Sequence, residues 1–460
     1  MINEFIIKDV RCFAGEQRIR IRPLTFLVGE NSTGKSTVLG CFQCVAGLLS
    51  YYPHPTELGN FNEPPYQMGS FSDIARKLVG GANKNSKNFS LGLQMNGEIM
   101  RPFEIILEFE EKGSEPSIST VTIVVPGSEG GKIILTKTDT QMEESGDAPA
   151  THIKIKKQDK NVFVLSVNDS NFIWFVLNHV IFGDIGRTRI ARFFIKNGNS
   201  QGKGFKELQK FLKKHFPSER ENGISAVDSM HENMSNVVSM SPIRSKPRRT
   251  YDPLGETQTP EGGDVPMYLM RLKRTNEAEG KRILKDLSKF GKVSGLFDNI
   301  NVHAYGENMN EPFQLQVKIR GAAANNILDV GYGVSQLLPI LVRMFSGESR
   351  QTLLIQQPEV HLHPRGQAEF ASLFVSAIAN RKQKFIVETH SDYIIDRIRI
   401  EISKGNIAPE DVALNYMSPD KNNSVKVHNI DFDEAGNLLN APPGYRDFFL
   451  NESDEFLGFK

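Results

Sequence analysis

Cysteine is scarce. Cys12, Cys41 and Cys44 are the three in 460 residues, too few and too clustered for a disulfide framework. The odd count points to a reducing compartment. Cys41 and Cys44 form a C-x-x-C, but zinc takes two further ligands at suitable spacing and no second pair exists. They read as two buried small residues one turn apart on a helix. An excess of one charge is also missing. Lys plus Arg number 55 and Asp plus Glu 54, a formal net charge of +1. The basic surplus of a protein that coats nucleic acid is therefore absent, although local patches stay open. The N-terminal MINEFIIKDVRCF carries acids and no apolar run, so it is no signal peptide. The most apolar stretch, FIWFVLNHVIF at 172–182, has about half the length that spans a bilayer. A soluble, cytoplasmic protein is expected. Sustained heptads and internal repeats are lacking, which excludes long coiled-coil arms.

What is present is ordinary globular material: 39% hydrophobic and 24% charged residues. The length suggests roughly two or three domains. A strand-like opening at 2–13 leads to an edge strand and then a buried strand within 19–28. A glycine-rich turn follows, then a helix over 35–50. Residues 51–90 are rich in loop signals. From 90 to 185 the chain alternates like an antiparallel β region. Helices are expected at 203–216 and 276–296, with a polar loop at 217–266 between them. A strand pair at 300–305 and 312–320 leads into a second α/β unit. It holds a helix after VGYGVSQLL, the strand TLLIQ, a helix over 365–381 and the strand KFIVET. The domain expectation is a first lobe at 1–200, an inserted helical and loop module at 201–320, a second lobe at 321–420 and a tail module at 421–460.

The first strong motif is Gly29-Glu30-Asn31-Ser32-Thr33-Gly34-Lys35-Ser36-Thr37. It satisfies G-x-x-x-x-G-K-[ST] and lies between a hydrophobic strand and a helix start, where the mechanism requires it. Glycines let backbone N–H groups turn onto phosphate oxygens, and the helix N-terminus adds a favourable dipole. Lys35 is placed to reach the β- and γ-phosphates and the Ser36 hydroxyl to ligate Mg²⁺.

Three distant segments suit the same nucleotide. Thr352–Glu359 (TLLIQQPE) has the form of a Walker B strand that ends in a polar cluster. Lys384–Ser391 (KFIVETHS) is a second buried strand that ends near His390, a residue able to contact a γ-phosphate or order water. Asp329–Pro339 (DVGYGVSQLLP) sets Gly331 and Gly333 ahead of Ser335 and Gln336 at the start of an apolar helix. A serine there is suited to phosphate, or it simply caps the helix.

Together these segments resemble the ABC-type ATPases of the RecF, SMC and OLD (overcoming lysogenization defect) group. The likeness is nearest to bacterial anti-phage defence ATPases such as AriA of the PARIS system. The motifs carry it over roughly 1–50 and 240–400, and DEAGNLLNAPPGYRDFF at 433–449 resembles that branch's tail. The resemblance implies an α/β ABC-type P-loop head, a mixed sheet with flanking helices and an antiparallel β subdomain. It implies ATP and Mg²⁺ held between paired subunits. One copy supplies Lys35 and Ser36, and the other supplies Ser335, its glycines and Gln336. Gln67, in YQMGSFSDIA, is a candidate Q-loop residue that senses Mg²⁺, with a plain surface glutamine as the alternative. His361 and His363 belong, on this likeness, to the loop after Walker B rather than to a metal site.

The chain departs from the pattern at Walker B, where Gln356 and Gln357 replace the usual acids. An amide oxygen can touch Mg²⁺ or its waters but lacks the charge a hard cation favours, and it cannot act as a base. Two accounts stay open. The site is naturally slow, with Glu359 sharing the work, or Gln356 is an introduced Glu-to-Gln change that holds ATP in place. Strong binding with little turnover is expected in either case. Three jobs fit the motifs. One is a nucleotide-switched sensor or scaffold that controls a separate effector such as a TOPRIM nuclease. The 70 residues after His390 leave little room for a fused one. Another is a RecF-like DNA repair clamp that uses Arg244–Arg249 (RSKPRR) and Lys154–Lys160 (KIKKQDK). The third is a binding protein with a relic P-loop, against which Gly34, Lys35 and Ser36 argue.

Overall fold

Runs of apolar residues without alternation mark strands covered on both faces. Three such runs, LTFLV, TLLI and FIV, become the centre of a parallel sheet. The computed structural model describes residues 2–50, 61–78, 85–96, 102–125, 131–138, 150–157, 160–168, 234, 236–252, 258–306, 308, 311–347, 350–420 and 424–445. The helix expected at 203–216, the apolar stretch at 172–182 and the end of the tail lie outside the described residues.

In chain order the elements begin β1 (Ile2–Lys8), β2 (Glu16–Arg20), β3 (Leu24–Gly29), α1 (Lys35–Ser50) and α2 (Phe71–Ile74). There follow β4 (Asn88–Met95), β5 (Phe103–Lys112), β6 (Glu115–Val125), β7 (Gly131–Thr138), β8 (Ala150–Lys157), β9 (Lys160–Asn168) and β10 (Val237–Met240). Then come α3 (Val265–Thr275), α4 (Glu277–Ser294), β11 (Asn299–Ala304), β12 (Phe313–Lys318), β13 (Ala324–Asn326) and α5 (Tyr332–Ser346). The described chain closes with β14 (Thr352–Gln356), α6 (Pro364–Arg381), β15 (Lys384–Glu388), α7 (Asp392–Ser403), β16 (Val412–Pro419), β17 (Val425–Phe432) and β18 (Leu438–Leu439).

The chain forms two compact units that do not follow its linear order. One comprises Met1–Ile21, Ser32–Asn236 and Ser418–Val427; the other comprises Arg22–Asn31, Val237–Met417 and His428–Lys460. The first unit holds an antiparallel sheet in the order β2-β1-β4-β5-β6-β7-β8-β9. Its strands read as alternation. Phe103, Ile105, Leu107 and Phe109 of β5 are buried while the residues between them are half-exposed. That period of two puts one face on a core. Phe61 meets Phe89 and Phe109 edge-on, Phe89 stacks on Phe109 with centroids 4.9 Å apart, and Phe5 of β1 packs against Phe42 of α1. Each such fully buried ring contributes roughly 1.5–3 kcal/mol.

The second unit is built on the sheet β10-β14-β15-β3-β16-β17-β18, with β10, β14, β15, β3 and β16 mutually parallel. All five residues of β14 are buried. Its core joins Phe26 of β3, Ile355 of β14, Phe385 and Val387 of β15, Phe370 and Phe374 of α6 and Leu337, Leu338, Ile340, Leu341, Val342 and Met344 of α5. A small antiparallel sheet, β11-β12-β13, adds Val302, Phe313 and Leu315 to the same core. Local signals set the helix ends. Asn276 accepts a hydrogen bond from Glu279 N at the start of α4, and Gly295 ends it in the left-handed region at φ 75°. Ser391 caps α7 by accepting from Ile394 N. Among the described residues no helix is long and apolar enough to cross a membrane.

Candidate functional site

Parallel strands present their carboxyl ends at one edge of a sheet, and ligands of α/β folds bind there. In the second unit that edge carries Gly29 at the end of β3, Gln356 at the end of β14 and Glu388 at the end of β15. Gln356 is the register partner of Glu388, and Glu388 pairs in turn with Leu27 of β3. The start of the phosphate loop and the end of the Walker B strand are thus separated by the single strand β15.

The phosphate loop turns through Gly29 (φ 144°), Ser32 (φ 64°) and Gly34 (φ 85°). Gly29 is half-buried, and Glu30, Asn31 and Ser32 are exposed. The close approach at Gly34 forbids any larger residue. A Cβ there would lie 2.6 Å from Cys12 Sγ and 2.7 Å from the Phe13 ring. Helix α1 begins at Lys35, whose side chain is buried to 3% exposure and whose Nζ lies 3.5 Å from Thr33 Oγ1. Ser36 is exposed, and Thr37 is buried. Cys41 and Cys44 are buried on α1; burial pushes the Cys41 thiol up to about 12 and raises that of Cys44.

Arg11 was not singled out by the sequence. Its Nη1 donates to Thr37 Oγ1 (3.2 Å) and its Nη2 to the Met68 carbonyl (2.8 Å), so it ties the phosphate-loop helix to the segment that carries Gln67. That segment also lies on α1. A Cβ at Gly40 would meet Met68 Sδ at 2.9 Å and Tyr66 Cβ at 3.0 Å. Gln67 is exposed between those two buried neighbours.

The Walker B turn is held from three sides. Gln356 is buried, and Gln357 adopts φ 44° while its N–H donates to the Glu388 carbonyl at 2.8 Å. Arg244 Nη2 donates to the Gln356 carbonyl (2.7 Å) and Nη1 to the Gln357 carbonyl (3.4 Å). The Arg244 backbone N–H donates to Gln336 Oε1 of α5 at 3.4 Å. Arg244 is only 3% exposed, and its buried Nε has no hydrogen-bond partner. Burial pulls its guanidinium down to about 10, with Glu359 acting in the opposite direction. This corrects the sequence expectation for RSKPRR. Arg244 is no surface contact for DNA, because its guanidinium is needed where peptide carbonyls would otherwise be left buried. Arg249 of the same cluster is exposed and forms a two-pronged ion pair with Asp329.

Glu359 braces the same turn from the other side. Its Oε1 accepts the His390 N–H (2.7 Å) and its Oε2 the Thr389 hydroxyl (2.9 Å). Burial raises the Glu359 carboxyl above its ordinary range, with the His390 hydrogen bond opposing. His390 is exposed. The start of α5 packs on the loop that follows: a Cβ at Gly333 would lie 2.7 Å from the His361 carbonyl, and the Tyr332 and His361 rings are 5.9 Å apart. Gly331 is the N-cap and makes no side-chain cap bond. Ser335 lies a turn further in, buried, with its hydroxyl donating back to the Tyr332 carbonyl at 2.9 Å, so it does not cap the helix. His363 caps α6 by accepting from Arg365 N. Among the described residues no group of three or more His, Cys, Asp and Glu side chains could hold a metal ion.

A parallel sheet with a glycine-lined phosphate loop at its carboxyl edge, and a polar Walker B turn two strands away, defines an α/β P-loop ATPase. The chain belongs to the AAA ATPase domain family, whose model matches residues 1–395. Among curated proteins none matches it. Solved structures with similarity include heads of SMC proteins. The SmcHead bound to the C-winged helix domain of ScpA shares 12% identity at a TM-score of 0.42, over 94% of this chain and 98% of that one. The SMC head domain from Thermotoga maritima shares 11% at 0.36, over 93% and 98%. The Smc head domain with an extended coiled coil, bound to the C-terminal domain of ScpA derived from Pyrococcus furiosus, shares 11% at 0.39, over 99% and 98%.

Proposed function

We propose that this ATPase closes on ATP as a pair of copies and acts as a nucleotide-dependent sensor and scaffold in bacterial anti-phage defence. The closed pair would hold, and the open pair release, a separate effector such as a TOPRIM nuclease. The observation that carries this is the linkage of α5 to the Walker B turn. Arg244 joins Gln336 to Gln356 and Gln357, and Gly333 seats the helix on the His361 carbonyl. A helix start without a side-chain cap keeps first-turn N–H groups for an anion, and such an anion would come from a partner copy's ATP. The motif likeness supports the defence role.

In the cycle, Lys35 meets the β- and γ-phosphates, and Gly29 to Thr37 wrap them with N–H groups. Ser36 and the amide oxygen of Gln356, with Gln67 as sensor, offer Mg²⁺ hard oxygen donors; so few protein ligands suit an ion that keeps its waters and takes phosphate oxygens. Bound there, Mg²⁺ neutralises charge on the phosphates. Gln357, Glu359 and His390 order the attacking water. Neither amide can take its proton, so turnover is slow. Molecular mass in solution, with and without ATP and Mg²⁺, tests the reading. Wild type should double in mass with nucleotide, and Lys35→Ala should not. A mass that ignores nucleotide rejects the paired switch.

A further inference from the structure

Helix α4 neutralises part of its charge within itself. Lys281 pairs with Glu277, and Arg282 pairs with Glu279 and Asp286. Lys285 and Lys292 are exposed on the same helix and form no ion pair among the described residues. Both line a groove of about 620 Å³ between α4 and the β11-β12 pair, and Lys318 at the end of β12 lines it too. In β11, Asn299 and Asn301 are exposed while Ile300 and Val302 are buried, so the alternation turns a polar face outward. Asn299 stands in register with Lys318, which puts both on that face. Ser288 of α4 donates its hydroxyl to Asn299 Oδ1 at 2.9 Å, and the Asn299 side chain keeps its two N–H donors. Among the described residues that line the groove, Asp298 is the one acid against three lysines. The whole groove belongs to the second unit.

We propose that this groove docks an acidic segment of a partner protein in extended conformation. The reading stands whether or not two copies pair on ATP. Lys285 and Lys292 lie seven positions apart on α4, a rise of ~10 Å. About three residues of extended chain cover that distance, so closely spaced Asp and Glu side chains meet both lysines. Lys318 meets a carboxylate from the sheet side, and the amides of Asn299 and Asn301 suit the peptide groups between. The volume lies in the range of clefts that hold a single ligand. Nucleic acid fits less well. Single strands gain much of their affinity by stacking bases on aromatic rings, and no aromatic residue is among those that line the groove. A duplex is wider than such a groove and draws its affinity from a longer row of phosphate contacts.

The test is fluorescence anisotropy of a labelled oligoglutamate peptide titrated with the full chain, at low salt and again with added salt. Wild type should bind the peptide, more weakly as salt rises. The double variant Lys285→Glu with Lys292→Glu should weaken binding roughly tenfold or more, since each attraction lost is replaced by a repulsion. The milder Lys285→Gln with Lys292→Gln should weaken it by a smaller factor. A control, Lys281→Glu with Lys289→Glu, makes the same change of net charge on the same helix at positions that do not line the groove. It should stay within about twofold of wild type. Melting temperature should be alike in all four proteins, because every substituted lysine is exposed. Wild type that does not bind the peptide overturns the proposal. Equal weakening in the control also overturns it, because net charge and not the groove would then set the affinity. A single-stranded oligonucleotide of matched charge that binds more tightly than the peptide, and loses that binding in the groove variants, overturns it in favour of nucleic acid.

Discussion

At Gly34 two constraints coincide. The φ of 85° disfavours any side chain, and the space for a Cβ is taken by Cys12 and Phe13. Strain and overpacking each cost about 1–3 kcal/mol. Gly34→Ala should therefore weaken ATP binding by at least about tenfold, read by calorimetric titration; wild-type affinity would refute the fit. Glu359 makes a prediction about pH. Its carboxyl is raised above the ordinary 4.5 by burial. A raised group gives its stabilisation in full below the unfolded value and loses it as pH rises through the folded value. Relative to Glu359→Gln, wild type should gain melting temperature on moving from about pH 7 to about pH 5. A gap that is equal at both pH values would count against it. Residues in the phosphate loop were legible because their spacing is their mechanism. Arg11 and Arg244 were not, because their contacts span 26 and 112 positions and nothing local marks them.

Elements were legible where one physical rule decided them. The helix over 35–50 follows a glycine-rich turn, the helix at 364–381 follows a histidine cap and a proline, and the central strands are unbroken apolar runs. Helix α5 begins at Tyr332, earlier than the expected start after VGYGVSQLL, and of the two readings of Ser335 the cap is the one that fails. Ser335 looks like a cap in sequence, but Gly331 takes that place and Ser335 bonds within its own turn. Such a choice depends on what packs outside the helix, here the His361 carbonyl. Coupling between α5 and the Walker B turn also belongs to this scale. Arg244→Met removes a buried cation, which is favourable, and strips the Gln356 and Gln357 carbonyls of donors, at about 1–3 kcal/mol each. Stability should change little. ATP-driven pairing should be lost while each copy still binds ATP, read by mass in solution beside calorimetry. Pairing equal to wild type would show that the link carries nothing.

For the whole molecule, composition and motifs indicated an α/β head without coiled coils. They did not reveal how the chain is shared between its two units. Residues 22–31 leave the unit that surrounds them in sequence and complete the sheet of the other. A linear reading has no signal for that exchange, because LTFLV is equally apolar in either sheet.

The placement of β3 reaches beyond the finished structure. Both neighbours of β3 in the sheet, β15 and β16, come from residues 384–419. During synthesis its apolar strand must wait for more than three hundred residues, unpaired on both edges. Contacts of such long sequence separation slow folding and expose sticky intermediates. Refolding from denaturant should be slow and dependent on protein concentration. A chain stopped after residue 383 should sediment as aggregate, since it retains β3 and has lost both partners. A soluble, nucleotide-binding product of that length would refute the dependence. The strand that leads into the phosphate loop therefore gains both of its sheet neighbours only after residues 384–419 have been made.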